Sequence, residues 1–104
     1  MMTFENVKLV AEANVYFDGN VSSRTFYTAE GERKTLGFML PGDYEFGTAA
    51  AEKMEVLSGE IEATLPGESE PKVYKAGEAF EIPANSKYRA VVTTFADYLC
   101  SYKD

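Results

Sequence analysis

The chain has 104 residues, of which 45% are hydrophobic and 26% charged, a composition that indicates a folded domain and excludes a largely disordered chain. Its formal net charge of −7, from 17 acidic and 10 basic residues, argues against a polymeric nucleic-acid partner, because binding a phosphate backbone requires a basic face. A local cluster such as Arg33-Lys34, or Lys53 with Lys87 and Arg89, could still bind a small anion.

The cysteine content and the N-terminal region predict a cellular location. Cys100 is the single cysteine, which excludes an intrachain disulfide and suits a reducing compartment. Residues 1–13 lack both the basic start and the continuous apolar stretch of a signal peptide, and no run is long enough to span a bilayer. We therefore expect a cytoplasmic protein without a membrane partner.

Strand-like alternation of apolar and polar residues runs along most of the chain. Turn signals occur at residues 18–20, 30–32, 41–43 and 66–68, and a helix-tolerant stretch at 49–53 is too short to stand alone. The predicted strands are 7–10, 14–17, 21–28, 33–40, 44–48, 72–75, 79–82, 87–92 and 97–102, together with the two strands of a hairpin described next. This pattern predicts an all-β sandwich or closed barrel, with residues 1–104 forming a single domain.

The predicted hairpin is centred on Gly59. Met54 and Val56 belong to a short β-prone run, and alternation resumes at Ile61 after the pair Ser58-Gly59. Because glycine tolerates the positive φ of a tight turn, the sequence predicts that the chain reverses direction here.

Two segments resemble the signature motifs of the cupin superfamily. In the first, six residues separate Glu52 from Gly59; in the second, Gly77 is followed by Pro83 at the spacing of the second motif, and Tyr88 stands where that motif carries histidine. The resemblance implies a cupin-type jelly-roll β-barrel. Metal-binding cupins hold their metal with histidines, and this chain has none, so we expect neither a metal nor another cofactor.

Six blocks of sequence are also similar to the pyrimidine/purine nucleoside phosphorylase family, which consists of small single-domain bacterial cupins. The likeness runs in order from residue 14 to residue 102 and leaves residues 1–13 as an N-terminal extension. The blocks are residues 14–19, 34–37, 40–42, 52–59, 80–86 and 98–100.

This resemblance implies an enzyme of broad specificity. A nucleoside phosphorylase is a pentosyltransferase, a glycosyltransferase that converts purine and pyrimidine nucleosides plus phosphate to free base and ribose 1-phosphate. The family likeness also implies a homodimer that needs no metal. Residues 1–13 could contribute an added or exchanged strand to such a dimer, because an unpaired strand edge is often covered by a partner.

The expected catalytic residues are Glu52 and Tyr88. Phosphorolysis passes through a state with positive charge on the sugar, which a carboxylate such as that of Glu52 would stabilise. Tyr88 would donate a hydrogen bond to the departing base, although a tyrosine on a strand can equally be a core aromatic. If residues 44–48 replace the superfamily's histidine pair, the positions facing the site are either Glu45 and Gly47 or Phe46 and Thr48.

The substrate-binding candidates are basic, aromatic and hydroxyl side chains. We expect one of the basic residues to bind phosphate and the aromatic rings, with Tyr16, to stack on the base, while each could instead be a solvated or core residue. The candidates are Thr48, Tyr44, Phe46, Arg24, Lys34 and Lys53.

Two other functions fit the same residues. A non-enzymatic cupin could bind a nucleoside or sugar as a sensor. Alternatively, a metal-dependent cupin could use the carboxylates of Glu45 and Glu52, which as oxygen ligands would suit Mg²⁺ or Mn²⁺.

Overall fold

The computed structural model describes every residue from Met1 to Asp104 and is almost entirely β-structure. A 3₁₀ turn at Phe17–Gly19 is its one helical segment, and nothing helical in it could cross a bilayer. The prediction of an all-β fold is confirmed. The strands are β1 Lys8–Leu9, β2 Asn14–Tyr16, β3 Val21–Tyr27, β4 Arg33–Met39, β5 Gly42–Gly47, β6 Ala51–Thr64, β7 Lys72–Lys75, β8 Ala79–Ile82, β9 Lys87–Val92 and β10 Ala96–Lys103.

Two antiparallel sheets share strand β6 and curl around a common interior. The first sheet has the order β3-β4-β10-β6-β8, with the short strands β1 and β2 both paired to β3. The second has the order β5-β9-β6-β7. Because alternate residues of a strand point to the same face, each strand contributes every second side chain to the space between the sheets.

The interior is filled mainly by apolar side chains from both sheets. Met39, Met54 and Ile82 come from the first sheet, Ile61 comes from the second, and all four are at most 2% exposed. Full burial of a side chain of this size contributes roughly 1.5–3 kcal/mol. This core holds the two sheets together and fixes which face of each strand is turned inward.

The prediction of a hairpin at Gly59 is wrong, because β6 continues through it as one strand of 14 residues. The first half of β6 pairs with β8 and β10, and the second half pairs with β7 and β9. Gly59 adopts φ +74°, and a Cβ there would lie 2.1 Å from the carbonyl oxygen of Phe95. The glycine therefore bends the strand from one sheet into the other instead of reversing it.

The bend also changes which residues of β6 point inward. Met54 and Val56 are buried before it, whereas Ile61 and Ala63 are buried after it, so the inward positions change from even to odd numbers. The pairing register with β10 shifts in the same region, between Asp97 and Tyr98. A register shift of this kind marks a β-bulge, in which one strand has an extra residue. A bulge changes the direction of the side chains that follow it.

Strand β5 begins earlier than the turn signal at residues 41–43 indicated. Gly42 already pairs with Val92, and the hydroxyl of Tyr44 donates a hydrogen bond of 2.6 Å to the carbonyl oxygen of Leu40. This side chain returns to the preceding backbone and so keeps the connection from β4 to β5 short.

The outer face of β4 is apolar and exposed. Leu36 and Phe38 are 39% and 42% exposed, and the ring of Phe38 stacks on that of Phe95 with centroids 5.6 Å apart. The inward face carries Thr35, Gly37 and Met39. At the edge of the same sheet, β1 pairs with β3 of its own chain.

The bend at Gly59 yields a stability prediction. Gly59→Ala should lower the free energy of unfolding by about 3 kcal/mol, because the new Cβ would meet the Phe95 carbonyl in addition to the strain of a positive φ. The matched control is Gly67→Ala, with φ +79° and no atom near the added Cβ, which should cost about 1 kcal/mol. Urea unfolding measures both values, and equal losses would show that the close approach to Phe95 is unimportant.

Candidate functional site

A small, partly open cavity lies between the two sheets. Its volume is about 120 Å³. Typical pockets for drug-sized ligands are roughly 300–1,000 Å³, so this one can enclose a single ring and leaves the rest of a larger ligand at its mouth. The lining residues are Tyr16, Met39, Phe46, Gly47, Glu52, Met54, Tyr88, Tyr98 and Cys100.

Glu52 is the one acidic residue of this lining. It lies near the start of β6, directly opposite Tyr102 of β10, and its Oε1 is 3.4 Å from the Sγ of Cys100, which donates a hydrogen bond to it. Partial burial raises the pKa of Glu52 above its usual range, while the Cys100 hydrogen bond and the charge of Arg33 act in the opposite direction. The cavity therefore contains a single carboxylate whose charge is incompletely compensated.

Tyr88 faces the same cavity from β9. Its ring is held between Phe46, at a centroid distance of 5.4 Å, and Phe80, at 5.7 Å. Its hydroxyl has no hydrogen-bond partner in the protein. Every fully buried polar side-chain atom has such a partner, so this hydroxyl is not fully buried and is accessible from the cavity. Burial and, next, the charge of Glu52 raise the pKa of Tyr88 well above its usual value, so the hydroxyl is a neutral hydrogen-bond donor.

Three other polar groups near the cavity, those of Cys100, Tyr98 and Tyr102, are also held neutral. Burial, with a further contribution from Glu52, raises the pKa of the Cys100 thiol to about 12. Because the thiolate is the nucleophilic form, Cys100 is an unreactive hydrogen-bond donor here. Burial likewise raises the pKa of Tyr98 and Tyr102, and the hydroxyl of Tyr102 lies 3.1 Å from that of Thr35.

The alternative positions predicted on β5 are distinguished by the direction of the side chains. Phe46 lines the cavity, whereas Glu45 is exposed and its carboxylate lies 3.8 Å from the Nζ of Lys87. Glu45 and Glu52 are therefore not brought together. No three His, Cys, Asp or Glu side chains lie close enough to form a metal site.

Tyr44 and Thr48 lie beside the cavity but use their hydroxyls within the protein. The Tyr44 hydroxyl is bonded to the Leu40 carbonyl, and its ring supports Phe46 at a centroid distance of 6.0 Å. The hydroxyl of Thr48 donates to the carbonyl of Pro83 at 2.7 Å and accepts the N–H of Ser86 at 3.0 Å. Thr48 thereby fastens the connection between β5 and β6 to the connection between β8 and β9.

The three basic candidates lie outside the barrel. Lys53 pairs with Glu55 at 3.3 Å, the Nζ of Lys34 donates to the hydroxyl of Ser101 at 2.7 Å, and the Nε of Arg24 donates to the carbonyl of Ala11 at 3.2 Å. Each is the direct neighbour of an inward-facing residue, so strand alternation turns it to the opposite face.

Two residues that were not among the predicted catalytic or substrate-binding residues lie close to the cavity, Arg33 by its charge on Glu52 and Phe17 by its contact with Phe46. Arg33 is on the inward face of β4, two residues before Thr35, and its guanidinium lies 3.8 Å from the ring centroid of Tyr102. Phe17 adopts φ +51°, which is unusual for a bulky residue, and its ring contacts that of Phe46 at 5.4 Å. Alternation along β4 distinguishes Arg33 from its neighbour Lys34 in the basic cluster, whereas nothing in the sequence indicated the strained backbone at Phe17.

Known proteins resemble this chain in sequence and in structure. Residues 11–102 match the family described as pyrimidine/purine nucleoside phosphorylase. A protein of that name from Hydrogenovibrio crunogenus is 58% identical over all of both chains. A solved structure of a protein of unknown function from Acinetobacter has a TM-score of 0.94 at 33% identity, covering 97% of this chain and 98% of the other. An RmlC-like cupin from Shewanella frigidimarina, at 16% identity and a TM-score of 0.69, covers 97% of this chain and 86% of its own, and shows that the barrel is of the cupin type.

The environment of Glu52 predicts a pH-dependent cost in stability. The pKa of Glu52 is raised in the folded state, so Glu52 stabilises the fold when it is protonated. This stabilisation is full below pH 4.5, the usual pKa of the side chain, and is lost as the pH rises through the folded-state pKa. Glu52→Gln, which is always neutral, should therefore be more stable than the wild type at pH 7, with a difference that shrinks toward zero below pH 4.5. Urea unfolding at several pH values, with the exposed Glu45→Gln as control, checks this; a difference independent of pH would indicate packing instead of charge.

Proposed function

The chain belongs to the pyrimidine/purine nucleoside phosphorylase family, and on this basis we propose that it is a pentosyltransferase of broad specificity that transfers ribose from nucleosides to phosphate. The single observation that carries the proposal from the family to the site is that the carboxylate of Glu52 and the unpartnered donor hydroxyl of Tyr88 line the same small cavity. The products are the free base and ribose 1-phosphate.

The reaction exchanges one bond at the anomeric carbon for another. An oxygen of hydrogen phosphate forms a bond to C1′ of the ribose as the bond from C1′ to the base nitrogen breaks. The electron pair of that broken bond remains on the nitrogen, and the proton lost from phosphate appears on the released base. Positive charge develops on the sugar ring between the two events, as in glycoside cleavage.

Glu52 stabilises that positive charge in the proposed mechanism. A carboxylate must be ionised to do so, and burial alone would favour its protonated form. The hydrogen bond from Cys100 and the positive charge of Arg33 both favour the ionised form, so these two groups keep the carboxylate available. The developing cation would then pair with a partly desolvated carboxylate, where the attraction is stronger than in water.

Tyr88 assists the departure of the base in the same proposal. Its free hydroxyl donates a hydrogen bond to the base as electron density accumulates there, and its high pKa keeps the proton in place throughout the physiological range. The cavity encloses the sugar, so the base lies toward the mouth, where Tyr16 is 48% exposed and can contact it.

Three further properties are part of the proposal. We expect activity without a metal, because the cavity contains one carboxylate and no histidine. We expect a homodimer, supported by the exposed apolar side chains of Leu36, Phe38 and Phe95, and sedimentation of a single-chain species at micromolar concentration would contradict it. The free thiol of Cys100 is consistent with a cytoplasmic location.

A nucleoside panel assayed with and without phosphate tests the function. In the presence of a chelator, base release from wild type should require phosphate, and Glu52→Gln should lower turnover ~10²-fold or more, because the change removes the charge and keeps the shape. Glu45→Gln is the matched control on the outer surface and should retain wild-type turnover. Nucleosides that raise the melting temperature without any phosphate-dependent release would instead identify a sensor.

A second test addresses Tyr88. Tyr88→Phe should slow the release of a poor leaving group by ~10-fold or more and that of a good leaving group much less, because only the poor one needs the hydrogen bond. Pre-steady-state rates with a natural nucleoside and with one whose base leaves readily make the comparison. Tyr74→Phe, a buried tyrosine outside the cavity, is the control. Equal losses on both substrates would leave Tyr88 as a packing residue.

A further inference from the structure

Arg33 and Glu52 lie on strands that flank β10, one on each side of it. Arg33 packs on Tyr102 of the adjacent strand β10, and Tyr102 is directly opposite Glu52 on β6. The backbones of Arg33 and Glu52 are thus two strand spacings apart, about 10 Å, on the same inward face. A small anion on the guanidinium would face a sugar held at Glu52 across this distance, beside the ring of Tyr102.

The guanidinium is fixed in orientation by two contacts. It lies over the ring of Tyr102, and its Nε and Nη2 each donate a hydrogen bond of 2.7 Å to the two carboxylate oxygens of Asp104. Two parallel hydrogen bonds to two oxygens of one anion are also the way in which arginine binds phosphate. The Asp104 carboxylate therefore shows where an oxyanion fits.

We propose that Arg33 binds the phosphate nucleophile and that the side chain of Asp104 occupies the phosphate position until phosphate displaces it. This inference rests on the proposed phosphorolysis and names the residue that holds its second substrate. Phosphate on Arg33 would present an oxygen toward the ribose at Glu52. The bond that this oxygen forms to C1′ replaces the bond to the base, which leaves with the electron pair and the proton that phosphate gives up.

Competing basic residues are excluded by their direction. Arg24, Lys34 and Lys53 point away from the interior, and Arg33 is the cation whose charge acts on both Glu52 and Cys100. The ion pair of Arg33 with Asp104 is largely exposed, and such pairs contribute little to stability. Phosphate, with a larger negative charge, can therefore replace Asp104 without loss of the fold.

The test combines equilibrium binding with kinetics. Binding of inorganic phosphate is measured by calorimetry, and the KM values for phosphate and for the nucleoside are measured separately. Arg33→Met should weaken phosphate binding and raise its KM ~30-fold or more, and Arg33→Lys ~10-fold, because lysine keeps the charge and loses the two-pronged geometry. Asp104→Asn should lower the phosphate KM about threefold by removing the competing carboxylate. The nucleoside KM should change less than about threefold in all of them.

Arg89→Met is the matched control, because Arg89 makes the same kind of two-pronged pair with Asp43 on the outer surface. Melting temperatures identify any variant that loses its fold, and Arg33→Lys remains informative if Arg33→Met does. Base release with an unchanged phosphate KM in the Arg33 variants would overturn the inference and leave the phosphorolysis intact. Phosphate binding that depends on Arg33, without base release, would support the inference and overturn the proposed function.

Discussion

The bend of β6 at Gly59 is the constraint on which the rest of the structure depends. One strand serves as a member of both sheets, so the barrel closes only if β6 changes direction without ending. Its first half directs Glu52 and Met54 inward, and its second half completes the core beneath them. A residue with a side chain at position 59 would collide with the Phe95 carbonyl. The position of the carboxylate is therefore determined by a glycine seven residues away in the sequence.

The cavity is organised around one partly buried charge. Removing a carboxylate from water is unfavourable unless hydrogen bonds or an opposite charge replace the lost hydration. Cys100 supplies one hydrogen bond, and Arg33 supplies a charge that is itself shared with Asp104. The compensation is incomplete, which leaves Glu52 able to attract a positive charge that develops nearby. A fully paired carboxylate would favour stability and would be a weaker partner for a cationic sugar.

The sequence predicted the kind of fold well and the direction of the side chains poorly. Turn residues and alternation located almost every strand, because both signals are local. Gly59 predicts a reversal from the sequence, since a positive φ is needed equally for a hairpin and for a bend, and only the long-range pairing of β6 distinguishes the two. The resemblance of the first motif predicts Glu52 as a site residue, and Glu52 lines the cavity. Thr48 lies one residue beyond β5, two residues after Phe46, but its hydroxyl is bonded to the neighbouring backbone in a contact that no spacing reveals.

The same reasoning explains how the proposed phosphate substrate could bind to a strongly acidic protein. Its net charge of −7 is distributed over the whole surface, and at physiological ionic strength charges farther apart than about 8 Å are largely screened. The electrostatic potential at the proposed phosphate position is therefore determined by the few charged groups within that distance. Arg33 alternates inward with Thr35, whereas the flanking Lys34 is turned outward. The net charge of the chain therefore predicts little about anion binding at the proposed site. The inward position of Arg33 in β4 predicts it better.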